Sequence, residues 1–252
     1  MPEREVEQAR ASCVIVPASP YDGGVPWRDW IRSDLEICPS LYAADFMRLG
    51  EQIEALLAAG CRVFHFDVGD GHFVPPVTIG PVVLRSIAPV IHAAGGVLDC
   101  HLMVDDPAHH FEEVAASGGD SVTFHVEVTG DPAGVARRAR ELGLAVGIAF
   151  NPRTSPSNAA AFAIAADAEI ALCMSIEPGY SGRTFMPEAL ERIRELSSLL
   201  DVPIQVDGGV GLGNAGAVRA AGASLLVAGS AIFATPEPGD TYALLVSAAR
   251  SG

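Results

Sequence analysis

Residues 45–68 read DFMRLGEQIEALLAAGCRVFHFDV, a stretch that joins a helical pattern to a short apolar run. Its first part repeats apolar residues at the spacing of one helix face, which predicts a helix over residues 45–59. Gly60 is suited to ending that helix, and residues 62–68 have the length and apolar character of a strand. The predicted apolar stripe consists of Phe46, Leu49, Ile53, Leu56 and Leu57.

The same alternation of apolar run and helical segment continues from residue 36 onward. Three further helices, over residues 107–117, 132–142 and 187–200, each open with proline, which the first helical turn tolerates. Eight strands that are each followed by a helix predict an α/β protein, a (β/α)8 TIM barrel in a single domain. An open doubly wound sheet is the alternative, but it usually has fewer strands and a G-x-G-x-x-G turn after the first, which is missing here. The eight runs span residues 36–40, 62–68, 97–103, 121–126, 144–150, 169–175, 203–207 and 224–228.

Residues 1–35 fall outside this alternation, and we expect an N-terminal extension (1–35) before the barrel domain (36–252). The extension is rich in turn-forming residues and holds both tryptophans, Trp27 and Trp30. We expect it to pack on the barrel surface, where it could contribute to a subunit contact. A lid over the active-site end is the alternative.

Composition excludes several classes of function. The chain has 31 acidic and 16 basic residues and a formal charge of −15, so binding to nucleic acid is not expected. All 16 basic residues are arginine. The absence of lysine argues against Schiff-base aldolases, pyridoxal-phosphate enzymes and P-loop NTPases.

Features that report on the cellular compartment point to the cytoplasm. The five cysteines form no C-x-x-C pair, which favours a reducing compartment over a disulfide framework. The charged start MPEREVEQAR does not resemble a signal peptide, and no apolar run has the length of a membrane span. We therefore expect a cytoplasmic protein without membrane contact.

Titratable residues cluster at the predicted carboxyl ends of three strands, where barrels of this type carry their sites. His65 and Asp67 are two residues apart on strand 2 and so point to the same face. His101 and Asp207 end strands 3 and 7. A lone histidine at a strand end is more often a packed residue than a ligand. Four such groups, however, suit a divalent metal ion with positions left open for substrate oxygens.

Glycine-rich turns follow the last three strands. The loops after strands 7 and 8 form the usual phosphate site of such barrels, and backbone N–H groups there can hold a dianion without lysine. Each glycine alone could simply form a tight turn, but three turns at adjacent strand ends favour phosphate binding. The turns comprise Gly179, Tyr180, Ser181 and Gly182, then Gly208 and Gly209, then Gly229 and Ser230.

Six motifs, in order along residues 36–235, resemble the signatures of the ribulose-phosphate 3-epimerase family. They are PSLYAADF (39–46), HFDVGDGHFVP (65–75), LDCHLM (98–103), MSIEPGYSG (174–182), VDGGV (206–210) and AGSAIF (228–233). The resemblance implies a (β/α)8 barrel and a metal-dependent 3-epimerisation of a ketose phosphate, D-ribulose 5-phosphate to D-xylulose 5-phosphate first of all. It also implies a homo-oligomer, a dimer or hexamer.

The resemblance assigns roles to matching residues of this chain. One divalent ion (Zn, Fe, Mn or Co) would be bound by His65, Asp67, His101 and Asp207. Asp67 and Asp207 would also exchange protons with opposite faces of the substrate, through an enediolate that the cation stabilises. Ser40, His65, His101, Met103 and Met174 would contact the substrate. Gly179, Tyr180, Ser181, Gly182, Gly208, Gly209, Gly229 and Ser230 would hold its phosphate.

Some positions depart from the family pattern. Gly69 stands where the family usually has methionine and is expected to open space beside the reacting carbons. Tyr42, Arg153 and Arg183 are also atypical. These changes could mark a different or larger substrate, or they could be neutral.

The remaining histidines are not expected to bind the metal. His72 and His125 are expected to organise the site through hydrogen bonds. His92, His109 and His110 should face solvent on helices.

Two alternatives remain open at this point. The chain could be a 3-epimerase of another ketose phosphate, such as allulose 6-phosphate, or a catalytically inactive sugar-phosphate-binding paralogue. The presence of both Asp67 and Asp207 argues against the inactive paralogue.

Overall fold

The computed structural model of the protein describes residues 26–31 and 34–252. Eight parallel strands form one sheet that curls into a nearly closed barrel, in the order β1-β8-β7-β6-β5-β4-β3-β2. This arrangement confirms the predicted (β/α)8 barrel, and every strand lies within one residue of its predicted bounds at each end. The strands are β1 Glu36–Pro39, β2 Val63–Gly69, β3 Val97–Met103, β4 Ser121–His125, β5 Ala145–Phe150, β6 Ile170–Met174, β7 Ile204–Asp207 and β8 Leu225–Ala228.

Helices cover the outside of the barrel and bury their apolar faces against the strands. Three of them, whose first residue is proline, begin at caps where a side-chain oxygen accepts a backbone N–H: Asp106 from His109, Asp131 from Gly134 and Ser155 from Asn158. The helices are α1 Pro26–Ile31, α2 Leu49–Ala58, α3 Pro81–Ala93, α4 Pro107–Ala116, α5 Pro132–Glu141, α6 Pro156–Ala165, α7 Ala189–Leu199, α8 Ala215–Ala220, α9 Ser230–Phe233 and α10 Pro238–Arg250.

Helix α2 begins four residues later than its apolar pattern predicts. The Asp45 side chain accepts the backbone N–H of Met47 at 3.0 Å, and the backbone N–H of Asp45 donates to Gln52 Oε1 at 2.9 Å. This local turn competes with the first helical turn. Phe46 consequently lies in the turn with 46% of its surface exposed, so its assignment to the buried stripe was wrong.

The join between β1 and β2 is the weakest in the barrel. Each of the other seven neighbouring pairs shares three to seven register positions. Among the described residues, β1 and β2 are linked by a single bridge, between Ser40 and His65. This bridge joins the residue that follows β1 to the third residue of β2.

Helix α1 closes the opposite end of the barrel. Trp27 and Ile31 are buried in one cluster with the residues that begin the strands, such as Val63 and Val97. Trp30 Nε1 donates a hydrogen bond of 3.1 Å to the carbonyl of Gly95, just before β3. For residues 26–31, packing on the barrel is therefore confirmed and the lid alternative is wrong. Residues 1–25 and 32–33 lie outside the described residues, and the expectation for them stays a prediction.

Among the described helices, none combines the length and hydrophobicity that a membrane span requires.

Candidate active site

The carboxyl ends of β2, β3 and β7 bring together the four residues that strand spacing selected. His65 and Asp67 project from the same face of β2, and Asp67 lies in register with His101 of β3. With Asp207 at the end of β7, they offer one ligand atom each, all within 4.8 Å of one another. The two imidazoles and Asp67 are buried, whereas Asp207 is partly exposed. The sequence prediction that these groups converge is confirmed.

The distances within this cluster suit a shared cation. Asp67 Oδ1 lies 3.2 Å from both His65 Nε2 and His101 Nδ1, and Asp207 Oδ2 lies 3.6 Å from His101 Nδ1. His65 Nε2 is buried and has no hydrogen-bond partner of acceptable geometry among the described residues. Such an unsatisfied nitrogen beside two carboxylates fits a metal ligand, and two nitrogens with two oxygens suit Zn, Fe, Mn or Co.

The acid–base properties of the cluster reflect mutual charge pairing. Burial alone would raise the pKa of Asp67, but the imidazoles of His65 and His101 lower it well below its usual range. Burial alone would lower the pKa of His65, but the carboxylates of Asp67 and Asp99 raise it. Protons and a metal ion therefore compete for the same nitrogens, so metal affinity should increase with pH.

The buried carboxylate of Asp99 orients His65 from behind. It accepts hydrogen bonds from His65 Nδ1 at 2.9 Å, Ser121 Oγ at 2.8 Å and Gln205 Nε2 at 2.7 Å. Because the carboxylate accepts from Nδ1, that nitrogen carries the proton and Nε2 is left to face the cluster. Sequence reasoning missed Asp99, although it points to the same side of β3 as His101, two residues on.

A cavity beside the cluster is lined by the other predicted site residues. Ser40 contributes a hydroxyl that donates to Asp67 Oδ2 at 2.5 Å. Met103 and Met174 form apolar walls, together with Ile176, Val210 and Val227, which sequence reasoning did not select. The predicted turns also line the cavity, with Gly179, Tyr180, Ser181, Gly182, Gly208, Gly209, Gly229 and Ser230. His65 and His101 lie behind Asp67 with no exposed surface.

Two adjacent glycines allow the loop after β7 to approach the loop after β6. Gly208 and Gly209 both have positive φ, of 118° and 65°. A Cβ on Gly209 would lie 2.5 Å from Phe185 N and 2.7 Å from the carbonyl oxygen of Arg183. A side chain at this position would push the two loops apart, so the close lining of the cavity depends on glycine here.

Gly69 does not open the cavity, and that interpretation was wrong. A Cβ built on it would lie 2.9 Å from both Val74 Cγ2 and the carbonyl oxygen of Pro76. Its missing side chain therefore makes room for the loop that follows β2, and Gly69 is not among the residues that line the cavity.

The other three atypical residues lie near the loop after β6 or in the wall of the cavity. Tyr42 lines it. The guanidinium of Arg183 lies 5.0 Å from the ring centre of Tyr180, and Arg153 Nε lies 3.4 Å from Glu177 Oε1.

The remaining histidines differ in burial and in hydrogen-bond partners. His125 is fully buried with its Nε2 2.9 Å from His101 Nε2, and burial lowers its pKa to about 4. His72 is exposed and hydrogen-bonds within its own turn to Asp70, away from the cluster. His92 contacts Asp120 Oδ2 at 3.0 Å and is partly buried, so its placement in solvent was wrong. His109 is exposed and His110 partly so.

Comparison with known proteins finds relatives that match most of the chain. The chain is 40% identical over 206 residues to ribulose-phosphate 3-epimerase of Escherichia coli (strain K12), covering 80% of this chain and 90% of that protein. It is 36% identical over 213 residues to the cytoplasmic isoform of ribulose-phosphate 3-epimerase from Oryza sativa subsp. japonica, covering 83% and 92%.

Solved structures of lower sequence identity share the fold. KGPDC from Streptococcus mutans matches with a TM-score of 0.64 at 13% identity, over 86% of this chain and 98% of that one. The 3-hexulose-6-phosphate synthase of Salmonella typhimurium matches with a TM-score of 0.65 at 15% identity, over 86% and 99%.

The profile of the Ribulose-phosphate 3 epimerase family matches residues 36–233, which include every strand of the barrel and all the residues of the cluster. On this match and on the identity to its relatives, the chain belongs to the ribulose-phosphate 3-epimerase family.

Proposed function

We propose that this protein is a metal-dependent ketose-phosphate 3-epimerase that interconverts D-ribulose 5-phosphate and D-xylulose 5-phosphate. The observation that carries the proposal is the convergence of His65, Asp67, His101 and Asp207, whose ligand atoms lie within 4.8 Å of one another. Membership of the family supports the reaction class. The adjoining cavity supports a phosphorylated sugar as the substrate.

The four converging side chains would hold one divalent ion. Zn, Fe, Mn and Co all accept two imidazole and two carboxylate ligands, and availability often decides among them. When bound, the cation supplies positive charge that stabilises the negative charge developing on the sugar oxygens. Neither lysine nor an organic cofactor is needed for this chemistry.

Asp67 and Asp207 would perform the two proton transfers. They project from β2 and β7 and both line the cavity. One carboxylate removes the proton from C3 on one face, and the other carboxyl group delivers a proton to the opposite face, which inverts the configuration. Each turnover therefore leaves the two groups with exchanged protonation states. The Ser40 hydroxyl holds the Asp67 carboxylate in one orientation, since it donates to Oδ2.

The glycine turns after β6, β7 and β8 would bind the phosphate through backbone N–H groups. Met103 and Met174 would shield the reacting carbon from water, so that the proton added at C3 comes from a carboxyl group and not directly from a water molecule. Arg183 is the basic residue closest along the chain to these turns, and its stacking on Tyr180 places positive charge near the proposed phosphate site.

Proton NMR in D2O tests the proposal. Chelator-stripped protein is reloaded with Zn2+, Mn2+, Co2+ or Fe2+ and mixed with ribulose 5-phosphate. We expect metal-dependent loss of the C3 proton signal and formation of xylulose 5-phosphate. Asp67→Asn and Asp207→Asn should each abolish net epimerisation. Asp201→Asn, an exposed change of the same charge between α7 and β7, should not.

Other results distinguish the alternatives. Turnover of allulose 6-phosphate but not of ribulose 5-phosphate would assign the protein to another ketose-phosphate epimerase. Sugar-phosphate binding without exchange of any C3 proton, in metal-loaded protein, would indicate an inactive paralogue.

Two further expectations stay predictions. A cytoplasmic location awaits cell fractionation, and a homo-oligomer, either dimer or hexamer, awaits light scattering on the purified protein.

A further inference from the structure

A second histidine lies directly behind His101. His125 ends β4, and its Nε2 is 2.9 Å from His101 Nε2. The planes of the two rings are nearly parallel, at an angle of 23°, and their centres lie 5.0 Å apart. Phe73 covers His125 at a ring-centre distance of 4.7 Å. The contact leaves the other nitrogen of His101, Nδ1, facing Asp67 and Asp207.

Glu127 contacts the ring nitrogen of His125 that faces away from His101. Its Oε2 lies 3.2 Å from His125 Nδ1, and its Oε1 accepts the backbone N–H of Asn151 at 2.8 Å and the hydroxyl of Thr154 at 2.5 Å. Burial alone would raise the pKa of Glu127, but the bonds from His125, Thr154 and Asn151 lower it to about 2. Glu127 is therefore an ionised carboxylate whose only role in these bonds is as the acceptor.

The direction of the hydrogen bonds that link Glu127, His125 and His101 follows from the groups at the two ends of the series. Because Glu127 accepts, His125 Nδ1 carries a proton. Only one proton fits between two nitrogens 2.9 Å apart, and a neutral imidazole whose Nδ1 binds a cation carries its proton on Nε2. His101 must donate that proton from its own Nε2, which leaves a lone pair on Nδ1 directed at the two aspartates.

We propose that Glu127 and His125 are positioning residues that fix His101 in the tautomer protonated at Nε2, so that Nδ1 is its metal-binding atom. The inference rests on the proposed function, since it concerns the same metal cluster. It adds to that function that the two metal-binding histidines are oriented by different hydrogen-bond partners. Asp99 leaves Nε2 of His65 for the metal, whereas the Glu127–His125 pair leaves Nδ1 of His101.

Metal affinity tests the proposal independently of turnover. Zn2+ is titrated into chelator-stripped protein against a chromophoric competitor, for wild type, Glu127→Ala, Glu127→Gln, His125→Leu and His125→Gln. Loss of a hydrogen-bond partner of a metal-ligating histidine typically weakens binding about 10- to 100-fold. We expect that loss for Glu127→Ala and His125→Leu, in protein shown to be folded by circular dichroism.

The conservative variants should be partly rescued. Glu127→Gln keeps an oxygen that can accept from His125, and His125→Gln provides one that can accept from His101, so each should bind Zn2+ more tightly than the matching apolar variant. Glu177→Gln removes the same charge from the same end of the barrel, after β6, and should leave the affinity for Zn2+ unchanged. This control separates hydrogen bonding from general electrostatics.

Nitrogen-15 NMR of the histidine rings provides a spectroscopic readout. Zn2+-loaded wild type should show a proton on Nε2 of His101 and, at Nδ1, the nitrogen-15 chemical shift of an unprotonated, metal-bound nitrogen. A proton on Nδ1 would overturn the proposal, as would Zn2+ affinities of Glu127→Ala and His125→Leu within twofold of wild type. A wild type that binds no Zn2+ would also overturn it.

The two proposals fail in different ways. If wild type binds Zn2+ with the expected tautomer but does not epimerise ribulose 5-phosphate, the proposed substrate is wrong and the positioning roles stand. If wild type epimerises but the variants bind Zn2+ normally, only the positioning roles are wrong.

Discussion

Replacing Trp27 by alanine should destabilise the barrel without affecting its active site. Trp27 is 1% exposed and packs with Val63, Val97 and Leu225 at the end of the barrel opposite the metal cluster. Burying a tryptophan removes roughly 200 Å² from water, which corresponds to about 5 kcal/mol at ~25 cal/mol per Å². Its Nε1–H, however, has no hydrogen-bond partner among the described residues, and an unpaired buried donor costs about 1–3 kcal/mol.

The net loss for Trp27→Ala is therefore about 3 kcal/mol in the free energy of unfolding. Trp27→Phe keeps most of the ring and removes the unpaired donor, so its cost should be within about 1 kcal/mol of zero. Trp30→Phe provides the matched comparison. It removes the bond from Nε1 to the Gly95 carbonyl and should cost about 1 kcal/mol.

Urea unfolding followed by circular dichroism measures these changes, and turnover under native conditions should match wild type for all three variants. A loss below about 1 kcal/mol for Trp27→Ala would refute the reasoning, because it would mean that α1 does not close the barrel in solution. A larger loss for Trp27→Phe than for Trp30→Phe would refute the assignment of the unpaired donor.

Buried contacts lead to three further predictions. Asp99→Leu would leave three buried donors unpaired, which costs about 3–9 kcal/mol and approaches the whole stability of a domain, so this variant should not fold. Asp99→Asn should fold but bind Zn2+ about 10-fold or more weakly in a competition titration. Gly69→Met should lower the melting temperature because its Cβ meets the loop after β2, whereas Gly50→Ala, with open space around its Cβ, should not; equal melting temperatures would contradict this. Burial raises the pKa of the Cys173 thiol to about 11, so roughly one molecule in a thousand is ionised there at pH 8, and Ellman's reagent should not label it before unfolding. The same is expected of the other described cysteines, Cys38, Cys61 and Cys100.

The fold could be predicted because parallel strands buried on both faces are continuous apolar runs. Strand β6, for example, has the sequence IALCM, is buried at every position and lies one residue inside its predicted bounds at each end. The start of α2 could not be predicted from periodicity, because Phe46 continues the apolar spacing while the Asp45 side chain forms a competing turn. The short helices α8 and α9 have too few residues to show a period.

The metal cluster could be predicted from strand-end positions, but the residues that hydrogen-bond to its ligands could not. His65 and Asp67 share a strand, so their convergence follows from the alternation of side chains. Gln205 reaches Asp99 across the inside of the barrel from a strand 106 residues away in the chain. Such a contact depends on the register of several strands, to which local sequence gives no access.

The consequence of Gly69 was also beyond the sequence. The sequence does not show which way a side chain at this position would point, and an enlarged cavity was the simplest interpretation. The direction of its Cβ depends on how the loop after β2 folds back, and that direction is toward Val74 and Pro76.

The barrel should open locally more easily at the seam between β1 and β2 than between its other neighbouring strands. Among the described residues, Ser40 and His65 form the one bridge across it, and both belong to the proposed site. Amides along this edge should exchange with solvent through smaller fluctuations than those between β2 and β3, which share seven register positions. A substrate that contacts Ser40 on one side and the His65 cluster on the other would hold the edges of β1 and β2 together. Occupancy of the site would then slow hydrogen exchange along the whole length of β1, as far as the end of the barrel that never touches the ligand.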